Sequence, residues 1–308
     1  MRRLPILLVL GLCLPPAVAT ADPWEELAFL PWGDGPGEVG LTDAREDELQ
    51  YGPHGIAVSP GGQVAVVDRV NGRALVLVDD GPVWEEVALT GRPGPAALLP
   101  GGMLVVADEQ DERRVKFVGT AEPLRTPRWT LPPNRLVTFT DDAGQTRVEG
   151  LNGFQLRLPV TREPLSPHEL ARGVPVAGGE AGVYVVRRDD ELWVEFPERR
   201  VVLDLAVWPA GAAGEYGPGA VSVLAARRDS AVVQLESVYG GVGPIRVERA
   251  VRTVHESGEV GPPLPVAGMG PVVIPSDLAA LPDGRVYQLV STPHGCRLLR
   301  ASAPEGSR

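Results

Sequence analysis

A β-propeller of four-stranded antiparallel blades is the fold class that this sequence predicts, on three observations. One phrase, a short apolar strand running into Pro-x-Gly, recurs as Ile56-Ala57-Val58-Ser59-Pro60-Gly61-Gly62, Leu205-Ala206-Val207-Trp208-Pro209-Ala210-Gly211 and Leu278-Ala279-Ala280-Leu281-Pro282-Asp283-Gly284, with a fourth copy from Ala96 to Gly102. Each copy is followed by short β-branched runs bounded by Gly, Pro, Asp and Asn, the pattern of antiparallel strands joined by tight turns. Long helical periodicity is absent, and 37 Gly with 32 Pro among 308 residues suit a chain made largely of turns. Self-similar units of roughly 35 to 50 residues with four strands each bury a face against their neighbours, as propeller blades do.

The chain opens with Met1-Arg2-Arg3, an apolar core over residues 4–14 and the small-x-small sequence Ala19-Thr20-Ala21. This predicts a signal peptide over residues 1–21, a mature start at Asp22, and export to the periplasm or beyond the cell. Cys13 follows Leu12, where a lipidation site wants a small residue, so a plain signal is favoured. The apolar core is too short to span a bilayer and no later stretch is long enough, so no membrane helix is expected.

Residues 22–302 read as one propeller domain and residues 303–308 as a disordered polar tail. Innermost strands fall near Gly55, Pro95, Glu169, Asp204 and Asp277, with a degenerate unit over residues 136–158. Six blades is the best count, with five and seven left open. The fifth unit is long, with an insertion at residues 210–219 and an extended outer strand at residues 245–255. The last copy runs out of chain at Ser302 after its third strand, while residues 24–30 form an apolar segment with no blade of their own. That segment is predicted to pair beside residues 296–301 and close the ring, which removes two free sheet edges.

Trp32-Gly33-Asp34-Gly35-Pro36-Gly37, then Gly52-Pro53-His54-Gly55-Ile56-Ala57-Val58, then Gln63 to Asp68 with Asn71 and Arg73, resembles an NHL repeat with its preceding Gly-rich segment. Asp108, Asp111 and Arg113 repeat the Asp, three-later polar, five-later Arg spacing. The resemblance covers residues 32–118, is partial over 204–235 and 277–300, and is weakest over 123–162. It implies a six-bladed propeller, an architecture that hosts unrelated functions. An acidic segment, Thr42 to Gln50, departs from the repeat by lengthening the loop before the first strand.

Without Arg2 and Arg3, 27 basic residues face 40 acidic ones, about −13 for the mature chain. Such a surface repels phosphate backbones, so nucleic-acid binding is disfavoured. Removing the signal also leaves Cys296 as the one cysteine, so packing and not a disulfide must hold the chain. Cys296 follows His294-Gly295, but its apolar strand makes it a core residue in preference to a nucleophile. No Gly-x-Ser-x-Gly, phosphate-binding Gly-x-x-x-x-Gly-Lys, metal-binding Cys pair or EF-hand loop is present, and Asp141-Asp142-Ala143-Gly144 reads as a hairpin turn. Trp84, Trp193 and Trp208 read as packing between blades; Trp24 and Trp32 read as packing or binding residues.

Innermost strands begin beside a propeller's central channel, so residues at that position form a ring. Aligned on the phrase, the ring brings together His54, His168, Glu169, Asp204 and Asp277. Carboxylates suit Ca²⁺, and imidazoles mixed with carboxylates suit Zn²⁺. The plainer reading is a wet channel without cofactor, for which replacing Asp204 and Asp277 with Asn leaves stability and binding nearly unchanged. Gly55, Gly94, Pro95 and Leu203 occupy other ring positions. The favoured function is therefore an exported, non-enzymatic, monomeric scaffold that binds a protein, peptide or glycan through loops at one face. The alternative, implied by the resemblance, is a metal-dependent hydrolase or lyase of the lactonase kind with its site at the channel mouth.

Overall fold

A computed structural model describes residues 22–43, 50–77, 84–98, 104–108, 115–118, 137–140, 146–149, 155–158, 174–176, 182–188, 191–204, 216–239, 246–268 and 270–303. Among these there is no helix, and no helix long and apolar enough to cross a membrane. After β1 (Glu25–Pro31), the strands form six antiparallel sheets in chain order. The first is β2 (Gly55–Val58), β3 (Val64–Asp68), β4 (Arg73–Leu77) and β5 (Trp84–Ala88), and the second is β6 (Pro93–Leu98), β7 (Leu104–Asp108) and β8 (Val115–Val118). The third is β9 (Val137–Thr140), β10 (Thr146–Glu149) and β11 (Gln155–Leu158). The fourth is β12 (Val174–Pro175), β13 (Gly182–Arg188), β14 (Glu191–Glu195) and β15 (Arg200–Val202). The fifth is β16 (Tyr216–Ala226), β17 (Ser230–Tyr239), β18 (Arg246–His255) and β19 (Leu264–Pro265). The sixth is β20 (Leu278–Ala280), β21 (Arg285–Thr292) and β22 (Gly295–Ser302), with β1 as its fourth strand.

Burial grades outward in the first sheet, as side-by-side packing of sheets requires. β2 and β3 are buried along their whole length, whereas β5 alternates between exposed and half-buried. Leu30, Ile56, Val66, Leu289 and Leu298 interdigitate between the sixth and first sheets, and Ala57, Val67, Leu98 and Val106 between the first and second. The recurrent phrase is one physical unit: Gly62 N–H donates to Ser59 O (2.8 Å) and Gly284 N–H to Leu281 O (3.0 Å), with φ of 93° and 92°. That left-handed backbone is why both copies end in Gly. At the start of β2, Gly55 lies against Ser276, and Ile56 N–H donates to Ser276 O (3.0 Å) while Ser276 N–H donates to His54 O (3.0 Å). A Cβ at Gly55 would collide with the Ser276 backbone.

The conspicuous motif residues of the first sheet hold structure. Asp68, fully buried, accepts from Gly40 N–H (3.1 Å), Asn71 N–H (3.2 Å), Asn71 Nδ2 (2.8 Å) and Arg73 Nε (3.4 Å). Arg73 donates onward to the carbonyls of Gly35 (2.8 Å) and Glu38 (2.9 Å) and to Glu86 Oε2 (3.0 Å). The Gly-rich approach to the first strand is thereby tied to the β3–β4 turn.

Several expectations change. The extended strand at residues 245–255 is β18, third in its sheet, with the two-residue β19 outside it. The phrase at 205–211, Trp208 included, lies outside the described residues, and the first described strand of that sheet is β16. Asp204 therefore follows β15, the last strand of the fourth sheet. Ala303, assigned to the tail, is buried and donates to Gly284 O (2.7 Å), so the ordered fold runs one residue further. The signal segment, the turn at 141–145 and residues 304–308 lie outside the described residues.

β1 lies antiparallel to β22, from Glu25 opposite Arg300 to Pro31 opposite Gly295. Glu26 pairs with Arg297 (2.5 Å) and Glu25 with Arg300 (2.9 Å), while Leu30 is fully buried. Losing Leu30 and this ladder removes on the order of 5 kcal/mol. Deleting residues 22–31 should therefore lower the melting temperature by about 10 °C or more; an unchanged thermal melt would refute the pairing.

Candidate functional site

The ring positions meet very different fates. His54 is buried just before β2, against the start of the sixth sheet. Burial, with the positive charges of Arg69 and Arg92 nearby, lowers its pKa to about 4. At neutral pH it is an uncharged imidazole. Asp204 is exposed after β15, and His168 and Glu169 lie outside the described residues. Asp277, immediately before β20, is largely buried and held by a guanidinium. Arg249 Nη1 donates to Oδ1 (2.8 Å) and Nη2 to Oδ2 (2.6 Å), with Gln288 Nε2 at 3.4 Å. Arg249 comes from β18 of the neighbouring sheet. Burial disfavours its charge, but the Asp277 hydrogen bonds and carboxylate raise its pKa above the usual guanidinium value. Among the described residues, no three His, Cys, Asp or Glu side chains converge as cation ligands would.

This ion pair lies in the wall of a cleft of about 440 Å³ between the fifth and sixth sheets. Its walls come from the middle of β16, β17, β18 and β21, the start of β20, and the loop over residues 270–277. The loop is fixed from behind. Ser291 Oγ donates to Val272 O (2.7 Å) and accepts from Val272 N–H (3.1 Å). Gln288 clamps Ala267 through both ends of its amide, at 3.0 Å each. Gln234 and Glu236, alternate residues on one face of β17, complete the polar lining. A cleft of this volume with polar groups on rigid strands has the size and make-up of a small-ligand or side-chain site.

Sequence reasoning found Asp277 and missed Arg249, Glu236 and Gln288. The available signal was alternation: Gln234 and Gln288 stand between apolar neighbours and Glu236 follows Gln234 two residues on, whereas Arg249 does not stand out in a strand that also carries Arg246, Glu248 and Arg252. Cys296 is fully buried in β22, and burial, with the Asp68 charge, pushes its thiol up to about 12, which suits a core residue and not a nucleophile. Trp193 is buried with Arg200 stacked 4.2 Å from its ring, Trp24 Nε1 donates to Pro265 O (2.8 Å) and Trp32 Nε1 to Thr292 O (3.0 Å).

Residues 51–77 match the NHL repeat family, a span that runs from just before β2 to the end of β4 and contains Asp68, Asn71 and Arg73. No curated protein matches the chain in sequence. Similar solved structures include hydrazine synthase from Kuenenia stuttgartiensis, 14% identical with a TM-score of 0.43 over 81% of this chain and 79% of that one. They also include virginiamycin B lyase from Staphylococcus aureus, 11% identical with a TM-score of 0.39 over 90% and 98%. A gluconolactonase from Xanthomonas campestris is 12% identical with a TM-score of 0.38 over 89% and 97%. The repeat match and the sheets themselves identify the architecture as a β-propeller.

Two outcomes follow from this geometry. His54 resists protonation when folded, so stability is undiminished above the unfolded pKa near 6.5 and is lost as pH falls toward 4, by about 3 kcal/mol. Thermal melts from pH 8 to 4.5 should show a shallower loss for His54→Gln than for the parent; parallel curves would refute it. The ion pair revises the expectation of neutrality for Asp277. Asp277→Asn should cost about 3 kcal/mol by stranding Arg249, whereas Asp204→Asn should stay within about 0.5 kcal/mol; denaturant midpoints distinguish the two.

Proposed function

We propose that the chain is an exported, non-enzymatic β-propeller of six blades, closed by β1 on β22, that binds a protein, peptide or glycan at the face where the cleft opens. Closure is supported by the β1–β22 ladder and by contacts that link the sheets: β6 with β9, β2 with β6 and β20, and β16 with β20, β12 and β13. The observation that carries the functional reading is the bidentate Arg249–Asp277 pair. A carboxylate held this way already has its charge balanced, and a divalent cation would have to displace a guanidinium to use it. What the cleft offers instead is a set of pre-positioned hydrogen-bonding groups on rigid strands, which suits recognition. Export is supported by the charge, apolar core and small-x-small end of residues 1–21.

The test is made on protein purified from a secreting host. Elemental analysis before and after chelator, together with turnover assays on a lactone panel, should give less than one equivalent of divalent metal and no activity above background. Arrays of peptides and glycans should show saturable binding that Asp277→Asn weakens. Stoichiometric metal that restores turnover to chelated protein would replace this reading with that of a metal-dependent enzyme.

A further inference from the structure

We infer that the cleft between the fifth and sixth sheets receives a single basic side chain, lysine or arginine, of a peptide segment, and that Glu236 is the carboxylate that recognises it. The inference rests on the binding-module reading and specifies its ligand. Glu236 lies on β17 directly across from Arg249 on β18, where a cross-strand ion pair is the ordinary outcome. Arg249 instead turns both terminal nitrogens to Asp277. The hydrogen bonds that Glu236 accepts come from neutral donors, Gln234 Nε2 at 3.0 Å on Oε1 and Ala220 N–H at 3.4 Å on Oε2, while the charge of Arg249 acts on it from across the strand pair without a direct contact. Among the described residues it has no salt-bridge partner. Because Arg249 and Asp277 neutralise one another, the cleft carries one net negative charge, on a side chain whose position is already fixed.

The surroundings suit a basic side chain on a peptide. Val273, 44% exposed, lines the cleft and lies beside Tyr51, 42% exposed, whose ring carries Arg69 at 4.8 Å. A partly apolar rim leading to a half-buried carboxylate matches the apolar stem and charged head of Lys or Arg. An anion would meet the Glu236 carboxylate in the wall of the cleft. The strongly acidic mature chain favours approach of a basic segment from a distance.

The experiment probes the full exported chain with an array of 12-residue peptides in which one central position is Lys, Arg, acetyl-Lys, Ala or Glu, beside a glycan array. Binding should be enriched about tenfold for Lys or Arg over acetyl-Lys and Glu, weaken in 0.5 M salt, and lose that preference in Glu236→Gln. The variant keeps the shape of the side chain and one of the two hydrogen bonds it accepts, losing at most the long one from Ala220 N–H, so its melting temperature should fall by no more than a few degrees. If it falls further, the parent's own preference for Lys over acetyl-Lys still decides. Equal binding of Lys and acetyl-Lys peptides, a preference surviving in Glu236→Gln, or binding to glycans alone would overturn the inference while leaving a binding module in place. Metal-dependent turnover would remove the binding module itself.

Discussion

The buried carboxylate of Asp68 is the interaction on which the arrangement of the first and last sheets depends. A fully buried charge is costly unless donors surround it. Here those donors come from three places: Gly40 on the incoming segment, Asn71 in the β3–β4 turn and Arg73 at the start of β4. Arg73 then holds the carbonyls of Gly35 and Glu38. Since β1 belongs to the sixth sheet and β2 opens the first, the segment between them crosses the seam between the two sheets. Asp68 and Arg73 pin that crossing. Gly55 against Ser276 fixes the same seam at its inner end.

Much of this architecture was legible in the sequence because its repeat is chemically literal. The Pro-x-Gly ending encodes a positive-φ glycine, and the two described examples, Gly62 and Gly284, adopt the same turn. The N-terminal strand was legible by elimination, as an apolar segment without a blade facing a blade without a fourth strand. The fifth sheet was read less well. β16, β17 and β18 run to ten or eleven residues, and β16 slips register between Pro218 and Val221 and again between Val223 and Ala225. Bulges break the period-2 pattern that a strand assignment relies on. The Leu205-Ala206-Val207-Trp208 copy, read as the inner strand of this unit, lies outside the described residues.

The site was half legible for a different reason. Position within a repeat singles out the residue just before an innermost strand, which is why Asp277 was found. What neutralises that side chain is set by the neighbouring sheet, 28 residues away in sequence, and no repeat alignment carries that information. The same carboxylate reads as a cation ligand alone and as half of an ion pair beside Arg249. Divergence between copies shows where to look, and contacts between copies show what the residue does.

The β1–β22 ladder joins two strands that lie far apart in the chain, with ion-pair partners 271 and 275 residues apart. Synthesis proceeds from the N-terminus, so Glu25–Pro31 must wait unpaired until residues 295–302 exist. A chain cut short anywhere before Gly295 has no strand to receive it, and the apolar face of β1 stays open to proteases and chaperones. The sixth sheet thus works as a checkpoint, because it is completed only once the strand at residues 295–302 has been made and has met β1.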